Sequence, residues 1–269
     1  MLRLRWGLAL GVFGFAAIAA LELSASSCSS DSFAPPPPAT FCAAHPNATG
    51  MFCDDFEKLS PDGGAFDPAW TLTLTGGGTA TREASGTGFA FHSVVPGTAG
   101  KRAAELEWDP NIALARHIGM RAKVKLSAEC AGGQSLFVLS GFAANAVAGI
   151  GLGVATDTTS KKTPFVLYAG SQAADAGPKL ASWSSADDAV FGVWLDVAMD
   201  VTFDRPRDAA ASGGVDLVVT IGGTKAIEVL GGEGGAAIAF PKLAIGATTT
   251  TSPVACDVWM DDVVLEVTK

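Results

Sequence analysis

The chain has 269 residues, 48% hydrophobic and 17% charged, enough for one large domain or two small ones. Eighteen basic residues against 27 acidic ones give a net charge of −9, and no basic stripe is visible. A chain of this charge repels nucleic acid and anionic membrane surfaces, which excludes nucleic-acid binding.

Residues 1–27 begin with Arg3 and Arg5, continue through an apolar run from Trp6 to Leu21, and end in small residues. That is the layout of a cleaved signal peptide. The run is close to a bilayer-spanning length, but the small residues and the cysteine after it favour cleavage over anchoring. The stretch "LSASSC" resembles a bacterial lipoprotein signal, in which the cysteine becomes the lipidated N-terminus. The resemblance implies lipid attachment at Cys28 and membrane contact through that anchor. It implies an exported protein, at the outer membrane or cell surface of a bacterium or in its periplasm. Residues 28–40 contain four consecutive prolines and read as a semi-rigid polyproline II tether. The domain proper is expected over residues 41–269.

With Cys28 lipidated, Cys42, Cys53, Cys130 and Cys256 remain. An even set in an exported chain implies two disulfides, with three possible connectivities. Cys42 and Cys53 flank the turn-like "HPNATG", which favours Cys42–Cys53 and leaves Cys130–Cys256 to tie a mid-chain segment to the last one. There is no CxxC, and His45, His92 and His117 stand apart in sequence, so a zinc site is not expected.

From residue 50 onward, short runs rich in Val, Ile, Thr and Phe alternate with Gly, Pro, Asp and Ser. Strands are predicted over 70–75, 79–85, 88–95, 102–108, 115–128, 134–142, 148–156, 164–170 and 179–185. Five more follow over 193–204, 215–221, 225–230, 242–248 and 255–267. In "VWLDVAMDVTF" the residues Val193, Leu195, Val197, Met199, Val201 and Phe203 share one face, as in a half-buried antiparallel strand. About fourteen strands and no capped helical stripe predict an all-β, two-sheet antiparallel sandwich, too large for an immunoglobulin-like unit.

Three stretches carry a further likeness. "FCDDFE" opens the domain, "VWLDVAMDVTFD" followed by "VDLVVTIGGTKAIEV" lies in its last third, and "DVWMDDVVLEV" closes it. Their order resembles laminin-G-like jelly rolls of the concanavalin A-like lectin/glucanase superfamily, over residues 50–269. The resemblance implies a glycan- or protein-binding module, a glycan-degrading enzyme, or a structural adhesion module of the envelope. It also implies first and last strands lying side by side. That would gather Asp54, Asp55 and Glu57 near Asp261 and Asp262, where a Ca²⁺ ion held by Asp55 and Asp262 would relieve their repulsion.

Individual residues favour binding over cleavage. Glucanases of the superfamily carry Glu-x-Asp-x-Glu on one strand face, whereas "ELEWD" places Glu105, Glu107 and Asp109 in a different order and ends in a turn at Asp109-Pro110. A lyase needs a proton-abstracting Tyr or His. The single tyrosine, Tyr168 in "FVLYAG", has no Gln-x-His companion, and no GxSxG elbow occurs. Sugar binding needs exposed aromatic faces with polar neighbours; Trp108 and Trp183 are the expected platforms. The reading is an exported, lipid-anchored module that binds a glycan or surface protein without catalysis. The alternatives are a glycoside hydrolase or polysaccharide lyase of the same fold, and a purely structural envelope protein.

Overall fold

Period-two alternation builds nearly all of the described chain. The computed structural model describes residues 41–269 apart from 60–62, 87, 133–135, 144–147, 158, 174–176, 206–213, 233–237, 240 and 250–253. The expected signal peptide, the tether and Cys28 lie outside the described residues. Strands β1 (Met51–Asp54), β2 (Trp70–Thr75), β3 (Thr79–Ser85), β4 (Gly88–Val95), β5 (Arg102–Trp108) and β6 (Leu114–Ala115) come first. Next are β7 (His117–Leu126), β8 (Leu136–Ala143), β9 (Ala148–Val154), β10 (Pro164–Ala173), β11 (Gly177–Asp188) and β12 (Leu195–Arg205). The chain closes with β13 (Gly214–Ile221), β14 (Thr224–Gly232), β15 (Ile238–Ala239), β16 (Pro241–Thr249) and β17 (Cys256–Thr268).

Every pairing among these strands is antiparallel. One sheet has the order β14-β13-β12-β7-β17-β4-β3, with β1 added beside β17. The other has the order β11-β10-β9-β8-β16-β5-β2, and β6 pairs with β15 apart from both. The fold is therefore the predicted two-sheet sandwich. The first and last strands are adjacent, with Asp54 opposite Val263. The hairpin between β13 and β14 turns on Gly222 and Gly223, both at positive φ, the type I′ geometry that glycine permits without steric cost.

The inner faces close on Phe91, Leu106, Met120, Leu139, Leu152, Leu167, Met199, Leu217, Ile245 and Met260, all fully buried. In β12 the predicted inward set holds for Val197, Met199, Val201 and Phe203. Val193 is a correction: it precedes the strand and is 46% exposed, because pairing with β7 begins only at Leu195. The two disulfides are Cys42–Cys53 and Cys130–Cys256, as expected. The first ties the short 3-10 turn Phe41–Ala44 to β1, and the second ties the turn Ala128–Gly132 to the start of β17.

Candidate functional site

The carboxylates of "FCDDFE" hold the chain together at the domain's entrance. Asp54 accepts hydrogen bonds from Trp70 Nε1 at 2.7 Å and from the Phe56 amide at 2.8 Å, and burial pushes its pKa up. Asp55, 7% exposed, accepts from the amides of Cys42 and Glu57. Glu57 accepts from the Phe89 amide on β4 at 2.8 Å. The acids of the last strand are partnered as well. Lys123 on β7 contacts Asp262 Oδ2 at 2.5 Å, and Asp261 accepts from the Asp262 amide. Burial lifts the Asp261 pKa to about 6, with Asp262 and Glu57 adding to the rise.

Asp55 and Asp262, the expected Ca²⁺ ligands, are not gathered into one cluster among the described residues. Asp55 and Asp262 line different cavities, and Lys123 supplies the positive charge that a cation would have brought to Asp262. Among the described residues, no group of three or more His, Cys, Asp or Glu is arranged to hold a metal ion.

Both expected tryptophan platforms belong to the interior. Trp108 is 7% exposed and stacks on Phe52 at 5.7 Å, while Phe52 meets Trp70 edge-on at 4.9 Å. Trp108 alternates in phase with Leu106, so its ring faces the opposing sheet rather than solvent. Trp183 lies opposite the fully buried Leu167 and packs, half-buried, against the same core.

Among the described residues, the aromatic side chains that face outward on the seven-stranded sheet include Phe137, Phe142 and Tyr168. Along β10, Phe165 and Leu167 enter the core and Tyr168 points away from it. Tyr168 sits opposite Gly151 on one side and Ser182 on the other. Strand β9, "AGIGLGV", sends Ile150, Leu152 and Val154 inward and presents Gly149, Gly151 and Gly153 outward. That face of β9 carries no side chain, and Gly151 and Gly153 are buried beneath their neighbours. The Phe137 ring lies over it, since a Cβ on Gly151 would fall 2.6 Å from Phe137 Cδ1. Phe137 and Tyr168 meet edge-to-face, 5.2 Å between centroids.

One row of this face runs Thr71, Glu107, Ala244, Ser140, Gly151, Tyr168, Ser182 across successive strands. Four interstrand steps, about 4.8 Å each, separate Glu107 from Tyr168 by roughly 19 Å. At the β5 end, Glu107 accepts from Thr73 Oγ1 at 2.7 Å. Glu105 stands two residues away on the same face. Burial, and then the neighbouring Glu107, push its pKa from 4.5 to about 7. Asp109 does not extend the row. It lies past the end of β5 and accepts from the Asn111 amide in a turn. The sequence had singled out Glu105, Glu107 and Tyr168, and the sheet places them on one face. It missed Phe137, Ser140 and the floor beneath them, for which the alternate glycines of "AGIGLGV" are the signal.

No protein-family model matches the sequence, and no curated protein matches it. Among solved structures, the chain is similar to the endo-β-1,4-glucuronan lyase of the fungus Trichoderma reesei, at 13% identity and a TM-score of 0.54, over 75% of this chain and 92% of that one. It is similar to the alginate lyase Aly36B at 11% identity and a TM-score of 0.51, over 82% and 98% of the two chains. It is also similar to a GH16 protein of the Bacteroides ovatus mixed linkage glucan PUL in complex with a G4G4G3G product. There the identity is 9% and the TM-score 0.52, over 81% and 99%. Identities this low establish the fold, a concanavalin A-like jelly roll, and not an activity.

Proposed function

We propose that this concanavalin A-like jelly roll is an exported glycan-binding protein that holds a neutral polysaccharide across the outer face of its seven-stranded sheet. The observation that carries the reading is the outward Tyr168–Phe137 pair beside the glycine backbone of β9. A pyranose ring needs an aromatic face with polar partners at its rim, which Ser140 and Ser182 can supply, while Glu105 and Glu107 lie farther along the same face, where another residue of a polysaccharide chain would meet them. Two carboxyl groups at the β5 end disfavour a uronate chain. A neutral chain can use the same groups as hydrogen-bond partners, with a protonated Glu105 donating. A product-bound GH16 protein of the same fold supports an oligosaccharide as ligand. Lipidation at Cys28 and the proline tether would hold the module off a bacterial membrane.

The row's order, which leaves Asp109 in a turn, supports binding without cleavage. One observation favours a second reading. Glu105, raised to about 7 beside Glu107, is an acid held protonated next to another carboxyl group, as in hydrolysis by acid and nucleophile. Titration calorimetry of the full chain with β-glucan oligosaccharides, paired with a reducing-end assay, separates the two. Binding without new reducing ends is expected, with Tyr168→Ala weakening affinity by roughly ten- to a hundredfold. Turnover lost in Glu105→Gln or Glu107→Gln would establish the hydrolase instead. Absence of binding would leave the structural envelope role. Cys28→Ser should move the protein from the membrane to the soluble fraction; unchanged partitioning would remove the lipid anchor from the reading.

A further inference from the structure

A cavity of about 330 Å³ opens on the outer face of the other sheet, where β7, β12, β13 and β17 meet the turn at residues 41–45. Its size suits one sugar ring, at the lower end of the range for small-molecule sites. Phe41 and His45 form one wall, their rings 4.9 Å apart. The Cys42–Cys53 disulfide and the hydrogen bond from the His45 amide to the Cys42 carbonyl fix that wall against β1.

The charges in the cavity are unequally satisfied. Lys123 lies opposite Asp196 on β12 and Asp261 on β17 and is ion-paired with Asp262. Arg121, two residues away on the same face, lies opposite Ala198 and Val264, which offer it nothing polar. Two acids of β12 flank its position equally: Asp196, opposite Lys123, and Asp200, which contacts His117 Nε2 at 3.7 Å and feels the Arg121 charge. The exposed Arg121 guanidinium makes no hydrogen bond or ion pair among the described residues, and its charge acts only at longer range on Asp200 and His117. A guanidinium is a planar fork matched to a carboxylate. Beside it are an apolar floor of Ala198 and Val264, a ring wall of Phe41 and His45, and two groups suited to hydroxyls, Asp196 and Thr220.

We infer that this cavity binds a carboxylated sugar, with the carboxylate on Arg121, the ring between Phe41 and the Ala198–Val264 floor, and the hydroxyls on Asp196 and Thr220. The site lies on the opposite sheet from the proposed neutral-glycan face and does not depend on it.

The test is titration calorimetry of the full chain with sodium D-glucuronate, against D-glucose and sodium benzoate. Glucuronate should bind one-to-one. Glucose, which lacks the carboxylate, and benzoate, which lacks the hydroxyls, should each bind at least about tenfold more weakly. Arg121→Gln should weaken glucuronate binding by a similar factor without moving the melting temperature, and Thr220→Val should weaken it less. The inference is overturned if glucuronate fails to bind at concentrations on the order of 10 mM. It is equally overturned if glucose or benzoate matches it, or if Arg121→Gln leaves its affinity unchanged.

Discussion

Glu105 makes the stability of this protein depend on pH in a direction opposite to that of an ion-paired carboxylate. Its pKa is about 7 in the folded chain against an ordinary value of 4.5, first because it is buried and second because Glu107 stands beside it. Between those two values the folded state keeps a proton that the unfolded state has released, so raising the pH favours unfolding. At about 1.4 kcal/mol per pH unit the shift corresponds to about 3 kcal/mol, lost as pH rises from below 4.5 to above 7. Glu105 keeps partial contact with solvent, which makes this an upper bound.

Glu105→Gln replaces the protonated acid by a neutral group of nearly the same shape. At pH 5 the variant should lead the parent by only about 1 kcal/mol, because the unfolded chain has begun to release this proton. At pH 8 the variant should be the more stable by up to about 3 kcal/mol, a rise on the order of 5–10 °C for a domain of this size. Asp261, raised to about 6, adds its own slope to both proteins and cancels in the comparison. Thermal melts at pH 5, 6, 7 and 8 provide the measurement. Parallel curves for the two proteins across that range would refute the burial argument, and with it the protonated Glu105 on which the hydrogen-bond donation rests.

Other perturbations test the frame that presents the site. On the chain-entropy model, removing Cys130–Cys256, which spans 126 residues, costs about 5 kcal/mol, and removing Cys42–Cys53, which spans 11, costs about 3. Melts of the two double-serine variants should rank in that order, and the reverse ranking would count against it. His117 has its pKa raised, chiefly by the Asp200 carboxylate 3.7 Å from its Nε2, so the contact stabilises the fold below the ordinary histidine pKa and fades as pH climbs through the raised value. An NMR titration should find the imidazole pKa lower in Asp200→Asn, and an unshifted midpoint would discount the contact. Gly153→Ala should destabilise by more than about 1 kcal/mol, because the new Cβ would fall 1.6 Å from the Leu136 carbonyl oxygen. A melting curve identical to the parent's would show that β8 and β9 are not held as closely as that.

Strands β2 to β5 were legible to the residue because alternation and turn punctuation are both local. The disulfides were legible because parity and proximity in sequence leave few choices. Faces were harder. Alternation says which residues lie together but not which set is buried, and a tryptophan flanked by polar residues invites the wrong choice. Trp108 shares its face with Leu106, and that shared face is core. The adjacency of the first and last strands was also anticipated. What no local pattern carries is the contribution of a third strand: Lys123, from β7, reaches Asp262 and pairs with its charge.

The same question of faces explains why the glycan site is assigned to the seven-stranded sheet although the other sheet displays more tryptophan. On that other sheet Trp259 sits between His92 on β4 and Lys125 on β7. It stacks on His92 at 4.5 Å with the planes 4° apart, and the Lys125 ammonium lies 4.2 Å from its centroid. The same ammonium lies 5.6 Å from the Trp194 ring, and Trp259 Nε1 donates to Glu83 at 3.0 Å. These side chains form a ladder across the strands, in which cation–π and stacking contacts already use the ring faces that a pyranose would need. Large side chains at adjacent outward positions consume aromatic surface in this way. A strand with glycine at every outward position offers its neighbours no side chain to stack on; Phe137 lies over its backbone and meets Tyr168 edge-to-face, and both rings stay half-buried. Strand β9 is such a strand, so the rings of Phe137 and Tyr168 beside it keep surface that a sugar can share.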